Sequence, residues 1–293
     1  MSFSTPYNLD TASSNAGAQT GEVRKSRFPL IWGKHSQLGA RGGANQDAMA
    51  ANQPTGFFAV ADGVGGGSYG EIASQIALNT LEQADDLSPQ GLIELLQQVD
   101  EKVAFALAKL TDAPGATTLA ALWIKRYRAH LLWVGDVRVL HFRATRSRKW
   151  SLLWKSQDQT YAAMGERPSD GGDMEDPARM VGTGRIESPG IRVFPLRAND
   201  ILLICSDGLH RYIDETEISR LITVSIRLGK NLEDIARVLA LQAKRNNSVD
   251  DISVLLLMRP PEPFRSWLLW ALAASVLAWT TINIDSLLKL VVQ

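Results

Sequence analysis

The chain reads as an α+β domain of antiparallel sheets covered by helices, followed by one C-terminal transmembrane helix. Three patterns predict this. Strand-like runs follow one another directly through the middle of the chain, helical periodicity comes in two separate pairs, and a long uncharged stretch lies near the C-terminus. A parallel sheet of alternating strands and helices fits poorly, because its crossovers need a helix after each strand.

In chain order, residues 1–28 are rich in Ser, Thr, Asn and Ala and hold no apolar block, so a disordered tail is expected there, with no signal peptide. Arg24, Lys25 and Arg27 close it as a small solvated basic cluster. A single domain is expected over 29–259, since no repeat, linker or low-complexity block interrupts it. Its first apolar run, Phe57-Phe58-Ala59-Val60-Ala61, ends on Asp62 and a glycine-rich turn. Helices are predicted over 69–86 and 91–110, with Ser88-Pro89 as a cap and first turn for the second. Strands are predicted over 117–124, 129–134, 137–142, 150–154, 191–194, 201–205 and 252–258. Lys125-Arg126-Tyr127-Arg128 and Gly135-Asp136 are expected to turn two hairpins. The second helix pair is predicted over 215–228 and 232–245. Between them, 158–187 holds many Gly, Pro and Asp residues with little periodicity, which suggests a flap near a functional site.

The segment 266–284 carries no charged residue and has Trp267, Trp270 and Trp279 near its ends. At ~1.5 Å per residue it reaches about 28 Å, close to the ~30 Å of a bilayer core. It follows the Pro-rich linker 260–265 and precedes a short tail, 285–293. Arg259 and Arg265 on its N-terminal side, against Lys289 beyond it, place the large domain in the cytoplasm under the positive-inside rule.

Composition removes several function classes. Lys+Arg and Asp+Glu are both 31, so the net charge is zero and no global field attracts nucleic acid. Cys205 is the one cysteine and lies inside an apolar run, which rules out an internal disulfide and suits a reducing compartment. No Gly-x-Ser-x-Gly elbow is present. His35, His130, His141 and His210 form no paired zinc spacing, though His210 falls close behind Asp207. The turn Gly63-Val64-Gly65-Gly66-Gly67 lacks both nucleotide-loop spacings.

Three apolar runs lie against an aspartate: the run ending at Asp62, Ile201-Leu202-Leu203-Ile204-Cys205-Ser206-Asp207, and Asn247-Ser248-Val249-Asp250-Asp251-Ile252. Carboxylates at buried strand ends are costly unless positive charge meets them. Convergence on hard, oxygen-liganded cations such as Mg²⁺ or Mn²⁺ explains all three. Two such cations would polarise a phosphoryl oxygen and generate a nucleophile without a cysteine or serine. Asp251 is expected to face solvent, and Thr117 and Thr118 to be ordinary strand residues.

The ordered set Arg41…Asn45-Gln46-Asp47-Ala48, Ala61-Asp62-Gly63-Val64-Gly65-Gly66, Gly115-Ala116-Thr117-Thr118-Leu119, Val134-Gly135-Asp136-Val137-Arg138, Ser206-Asp207-Gly208-Leu209 and Asp250-Asp251-Ile252-Ser253-Val254 resembles the metal-dependent type 2C protein phosphatases (the PPM family). The resemblance implies a four-layer α-β-β-α sandwich of two mainly antiparallel sheets, with a Mn²⁺ or Mg²⁺ pair at one end. It implies that Asp62 bridges both ions, that the Gly63 carbonyl binds one, and that Asp207 and Asp250 hold the other. Asp47 would orient the metal-activated water, Arg41 would bind the phosphate, and Asp136 matches an aspartate that helps hold a third, weaker ion. The implied substrates are phosphoserine and phosphothreonine proteins, with a cognate Ser/Thr kinase or its substrates as partners.

Three positions depart from the pattern. Gln46 stands where many members have a glutamate that reaches a metal through water. Arg41 lies four positions before Asn45 rather than three, and Val64 replaces the histidine acid of animal members, which points to a bacterial-type enzyme. Gln46 and Arg41 also leave open a pseudophosphatase acting as a membrane adaptor, and the motifs do not separate a kinase-pathway substrate from a phosphorylated sigma-factor regulator.

Overall fold

The structure is a computed structural model that describes residues 30–40, 43–65, 69–110, 115–169, 171–184 and 186–261. The predicted N-terminal tail, Arg41 and the predicted span 266–284 lie outside the described residues. Among the described residues no helix is long and apolar enough to cross a membrane.

The elements run β1 (Ile31–Gln37), β2 (Asp47–Asn52), β3 (Phe57–Val64), α1 (Tyr69–Leu81), α2 (Pro89–Ala108), β4 (Ala116–Lys125), β5 (Arg128–Val134), β6 (Arg138–Ala144) and β7 (Trp150–Lys155). They continue with α3 (Tyr161–Met164), β8 (Gly190–Pro195), β9 (Ile201–Cys205), α4 (Asp207–His210), α5 (Glu215–Arg227), α6 (Leu232–Arg245) and β10 (Ile252–Met258). One sheet has the order β1-β10-β9-β6-β7 and the other β2-β3-β4-β5-β8, with every pairing antiparallel.

Apolar residues on both faces of the central strands explain the layering, since a strand buried on both sides needs a cover on each. Phe58, Val60, Leu122 and Leu131 of one sheet pack between the sheets against Val139, Leu202, Ile204 and Leu255 of the other. The outer face of the β2–β8 sheet is covered by α1 and α2 through Ala73, Ala77, Leu92, Leu96 and Val99. The outer face of the β1–β7 sheet is covered by α5 and α6 through Ile218, Ile222, Ile235 and Leu239. The expected four-layer α-β-β-α sandwich is therefore present.

Helix ends follow local chemistry. The Ser88 hydroxyl accepts from Gly91 N at 3.0 Å with Pro89 in the first turn of α2. Asp214 and Asn231 cap α5 and α6 in the same way, each at 2.8 Å. The helix predicted to run to residue 86 stops at Leu81, because Asp86 accepts from both the amide and the hydroxyl of Ser88 and holds a turn there.

The turn at Arg126-Tyr127 closes the β4–β5 hairpin with both residues at positive φ, 50° and 60°, as a two-residue I′ turn requires. Gly135-Asp136 does not close a hairpin. Strand β5 pairs with β4 and β8, whereas β6 pairs with β7 and β9, so Gly135-Asp136 carries the chain from one sheet to the other. Gly135 takes φ +88°, and a Cβ there would meet the Thr118 side chain at 2.4 Å. The crossover sets Asp136 at the common end of both sheets.

Candidate metal centre

At that end a cavity of about 250 Å³ is lined by Gln46, Asp62, Gly63, Asp136, Asp207 and Asp250, together with Asp176, Arg211 and Asp251. A larger groove of about 990 Å³ along α2, lined by Asp100, Lys102, Phe105 and Ile186 among others, holds none of the predicted site residues.

Each sheet contributes part of the charge. Asp47 opens β2 and stands directly opposite Asp62 of β3 in the antiparallel register. Side chains so placed lie within about 5.5 Å of each other at Cβ, and like charges there repel. Asp207 follows β9 after one residue, Ser206, while Asp250 comes just before β10 rather than ending a strand. The glycines permit the convergence. A Cβ on Gly63 would fall 2.2 Å from the Gly70 carbonyl oxygen, and one on Gly208 would fall 2.0 Å from the Asp251 carbonyl oxygen. The backbones of β3 and α1, and of α4 and the β10 approach, touch where no side chain fits.

Hydrogen bonds hold the acids in place. Ser206 Oγ donates to Asp47 Oδ2 at 2.9 Å and accepts from Ser253 N at 2.9 Å, linking one sheet's carboxylate to the other sheet's backbone. Thr117 Oγ1 donates to the Asp62 carbonyl at 2.8 Å, so it braces β3 and is more than an ordinary strand residue. Asp251 does not face solvent as the sequence suggested. Its carboxylate accepts from Gly39 N and Gln46 N, each at 2.8 Å, pinning both ends of the stretch that contains Arg41. Gln46 donates through its side-chain amide Nε2 to the Gly65 carbonyl at 3.0 Å, and its backbone carbonyl accepts from Gly63 N at 3.1 Å.

Electrostatics show what the cluster lacks. Burial and the charges of Asp47, Asp207, Asp136 and Asp250 push the Asp62 carboxyl well above its ordinary range. Burial also pushes Asp47 up to about 7, against the pull of its Ser253 and Ser206 hydrogen bonds. Asp136 is raised by burial, with the Arg211 charge opposing the shift. His210 is held neutral, its pKa lowered to about 4 by burial, and Nε2–H donates to the Asp136 carbonyl at 2.9 Å.

The donor set fits a hard dication. It is all oxygen, drawn from both sheets, and Asp47 Oδ1 is buried with no hydrogen-bond partner. Among the described residues no group of three or more His, Cys, Asp or Glu side chains is placed to hold a metal ion as it stands.

The structure thus brings together Asp47, Asp62, Gly63, Asp136, Asp207, Asp250 and Gln46, while Arg41 lies outside the described residues. Asp176 and Pro177 of the predicted flap reach the cavity wall. Besides Asp251 and Thr117, two further site residues were not legible beforehand. One is Ser206, whose hydroxyl joins the sheets. The other is Arg211, whose spacing four residues after Asp207 was the available signal.

The chain also resembles known proteins. The sequence matches the family described as protein phosphatase 2C over residues 36–242. It is 27% identical over 243 residues to the serine/threonine protein phosphatase PstP of Mycobacterium tuberculosis, covering 78% of this chain and 44% of that one. The chain therefore spans less than half the length of that relative. It is 27% identical over 229 residues to the serine/threonine phosphatase stp of Listeria monocytogenes, covering 71% of this chain and 85% of the relative. The PstP catalytic domain, crystallised with two manganese ions, superposes with a TM-score of 0.64 at 23% identity, over 79% of this chain and 99% of that one.

Proposed function

The chain belongs to the protein phosphatase 2C family, and on that premise we propose that it hydrolyses phosphoserine and phosphothreonine in proteins with the help of two Mn²⁺ or Mg²⁺ ions. The observation that carries this reading is the meeting of Asp62, Asp207 and Asp250, from both sheets, on one small cavity. The manganese pair in the PstP catalytic domain supports the choice of ion.

Asp62, the Gly63 carbonyl, Asp207 and Asp250 would hold the two ions. Bound there, the ions supply Lewis acidity toward a phosphoryl oxygen and make water a stronger nucleophile near neutral pH. Asp47, fixed by Ser206, accepts a hydrogen bond from the attacking water and aims it at phosphorus. Arg41 binds the phosphate oxygens. Val64 offers no proton, so the departing serine or threonine oxygen takes one from solvent. Cys205 is fully buried with its thiol pKa pushed up, which suits a mechanism without a covalent enzyme intermediate.

The same proposal places the domain at the cytoplasmic face of a membrane, tethered through 266–284. The uncharged run and the flanking Arg259 and Arg265 support that placement. Tethering would raise the local concentration of membrane-bound phosphoproteins, such as a Ser/Thr kinase or its substrates. Gln46, neutral at the cavity wall where an acid would add charge, supports a second reading as a catalytically silent adaptor.

Hydrolysis of a phosphothreonine peptide by the purified chain, with and without Mn²⁺, separates the readings. The wild type should turn over only with metal, and Asp207→Asn should lose on the order of 100-fold or more. Equal rates for the two proteins would remove the two-ion mechanism, and no Mn²⁺ binding by calorimetry would favour the adaptor.

A further inference from the structure

Arg211 is the cation that already sits among these acids. Its Nη2 donates to Asp136 Oδ2 at 3.1 Å, and its Nε lies 3.1 Å from Asp207 Oδ2. Nη2 also donates to the Glu175 carbonyl at 2.7 Å, so the same guanidinium ties the flap to the cavity. A lysine could not do this, because a point charge lacks the planar fork that spans two carboxylates and a carbonyl. The acid side of this contact is largely buried: the Asp136 and Asp207 side chains are 5% and 12% exposed, against 36% for Arg211.

We propose that the Arg211 guanidinium is a built-in cation that closes the Asp136 edge of the site, so that the centre takes two dications and excludes a third. The inference rests on the two-ion reading. A third ion between Asp136 and Asp207 would need their oxygens at roughly 2.0–2.2 Å. Arg211 already bonds those carboxylates and carries a charge that does not titrate away. A dication arriving there would meet the guanidinium's repulsion at close range and would have to displace it. Displacement would also release Glu175, so the flap stays fastened while Arg211 remains in place. Asp136 is then a partner of Arg211 rather than a metal ligand.

Calorimetric titration of Mn²⁺ into the full chain tests this by counting ions rather than by activity. Wild type should bind two. Arg211→Gln should bind a third, with affinity on the order of tenfold or more above any residual wild-type binding at that position. Combining it with Asp136→Asn should abolish the third ion. Asp136→Asn alone should still bind two, which decides the matter if Arg211→Gln fails to fold. Three ions in wild type, an unchanged count in Arg211→Gln, or loss of an ion in Asp136→Asn would each overturn the inference. Wild type that binds two ions while Arg211→Gln does no more sinks this inference alone, whereas wild type that binds none removes the two-ion reading with it.

Discussion

Replacing Asp62 by asparagine should have opposite effects on stability with and without metal. In EDTA the Asp62 carboxylate faces Asp47 directly across the β2–β3 ladder and feels Asp207, Asp136 and Asp250 as well. At roughly 0.2–1 kcal/mol for each like-charge neighbour, less what Arg211 offsets, removing its charge should stabilise the metal-free protein by about 1–3 kcal/mol. For a domain of this size that is a rise in Tm of roughly 3–10 °C. The gain should shrink as pH falls. Asp47 titrates at about 7 in the fold against an ordinary value of 3.8, so the folded state keeps a proton that the unfolded state releases. Metal-free stability therefore falls as pH rises from about 4 to 7, and the benefit of neutralising Asp62 is largest above that window.

With Mn²⁺ the order should reverse. An ion held only by the native state adds about 2.7 kcal/mol at 100 times its Kd, and on the proposed reading Asp62→Asn would forfeit one of its ligands. Differential scanning fluorimetry at pH 8, in EDTA and in a Mn²⁺ series, reads both effects. If Asp62→Asn melts below wild type in EDTA by the margin seen with Mn²⁺, the carboxylate is a structural brace and the repulsion argument is wrong.

Two further changes probe the scaffold around the site. Asp251→Ala should cost about 2–4 kcal/mol, because the Gly39 and Gln46 amides lose their acceptor, and it should raise KM for a phosphopeptide by loosening the stretch that carries Arg41; denaturant melts and steady-state kinetics check both. Far from the cavity, Asp200 is buried and its carboxylate is pushed up by burial yet held down at about 2 by hydrogen bonds from Arg143, His141 and Arg197 N. Its ionised form contributes stability above about pH 4 that is lost as pH falls toward 2, worth about 1–2 kcal/mol, so Asp200→Asn should flatten the acid limb of a pH–stability curve. An unchanged acid limb would mean the triad is not the acid-sensitive element.

Much of the fold was legible because burial writes itself plainly into composition. Strands β9 and β10 coincide with their apolar runs, broken in β10 only by Ser253, and α6 with its amphipathic repeat. Strand β2 was not legible. Asp-Ala-Met-Ala-Ala-Asn has little β propensity and becomes a strand only because β3 pairs with it. Asp62, Asp207 and Asp250 were readable because each abuts an apolar run in which a lone acid needs a reason. Asp251 misled because one acid of a doublet carries no mark of which partner it meets. Its acceptor role depends on Gly39 and Gln46, more than 200 residues away in sequence.

Asp136 shows where sequence reasoning meets its physical boundary. A Gly-Asp pair between two strand-like runs is the signature of a hairpin, and locally nothing contradicts it. Only the pairing of β5 with β8 and of β6 with β9 shows that the chain changes sheets there. That crossover gives the site its character. Asp47 and Asp62 hang from one sheet, Asp207 and Asp250 from the other, and Asp136 lies on the link between them. Ser206 bridges Asp47 to Ser253 N, Asp251 reaches Gln46 and Arg211 joins Asp136 to Asp207, but Asp47 and Asp62 still carry like charge toward Asp207 and Asp250 across the seam. On the proposed reading, cations bound at that seam would bind the two sheets together as well as activate water. Metal affinity and packing between the sheets should then be coupled, and a substitution in the inter-sheet core, such as Val60→Ala, should weaken Mn²⁺ binding without touching any ligand.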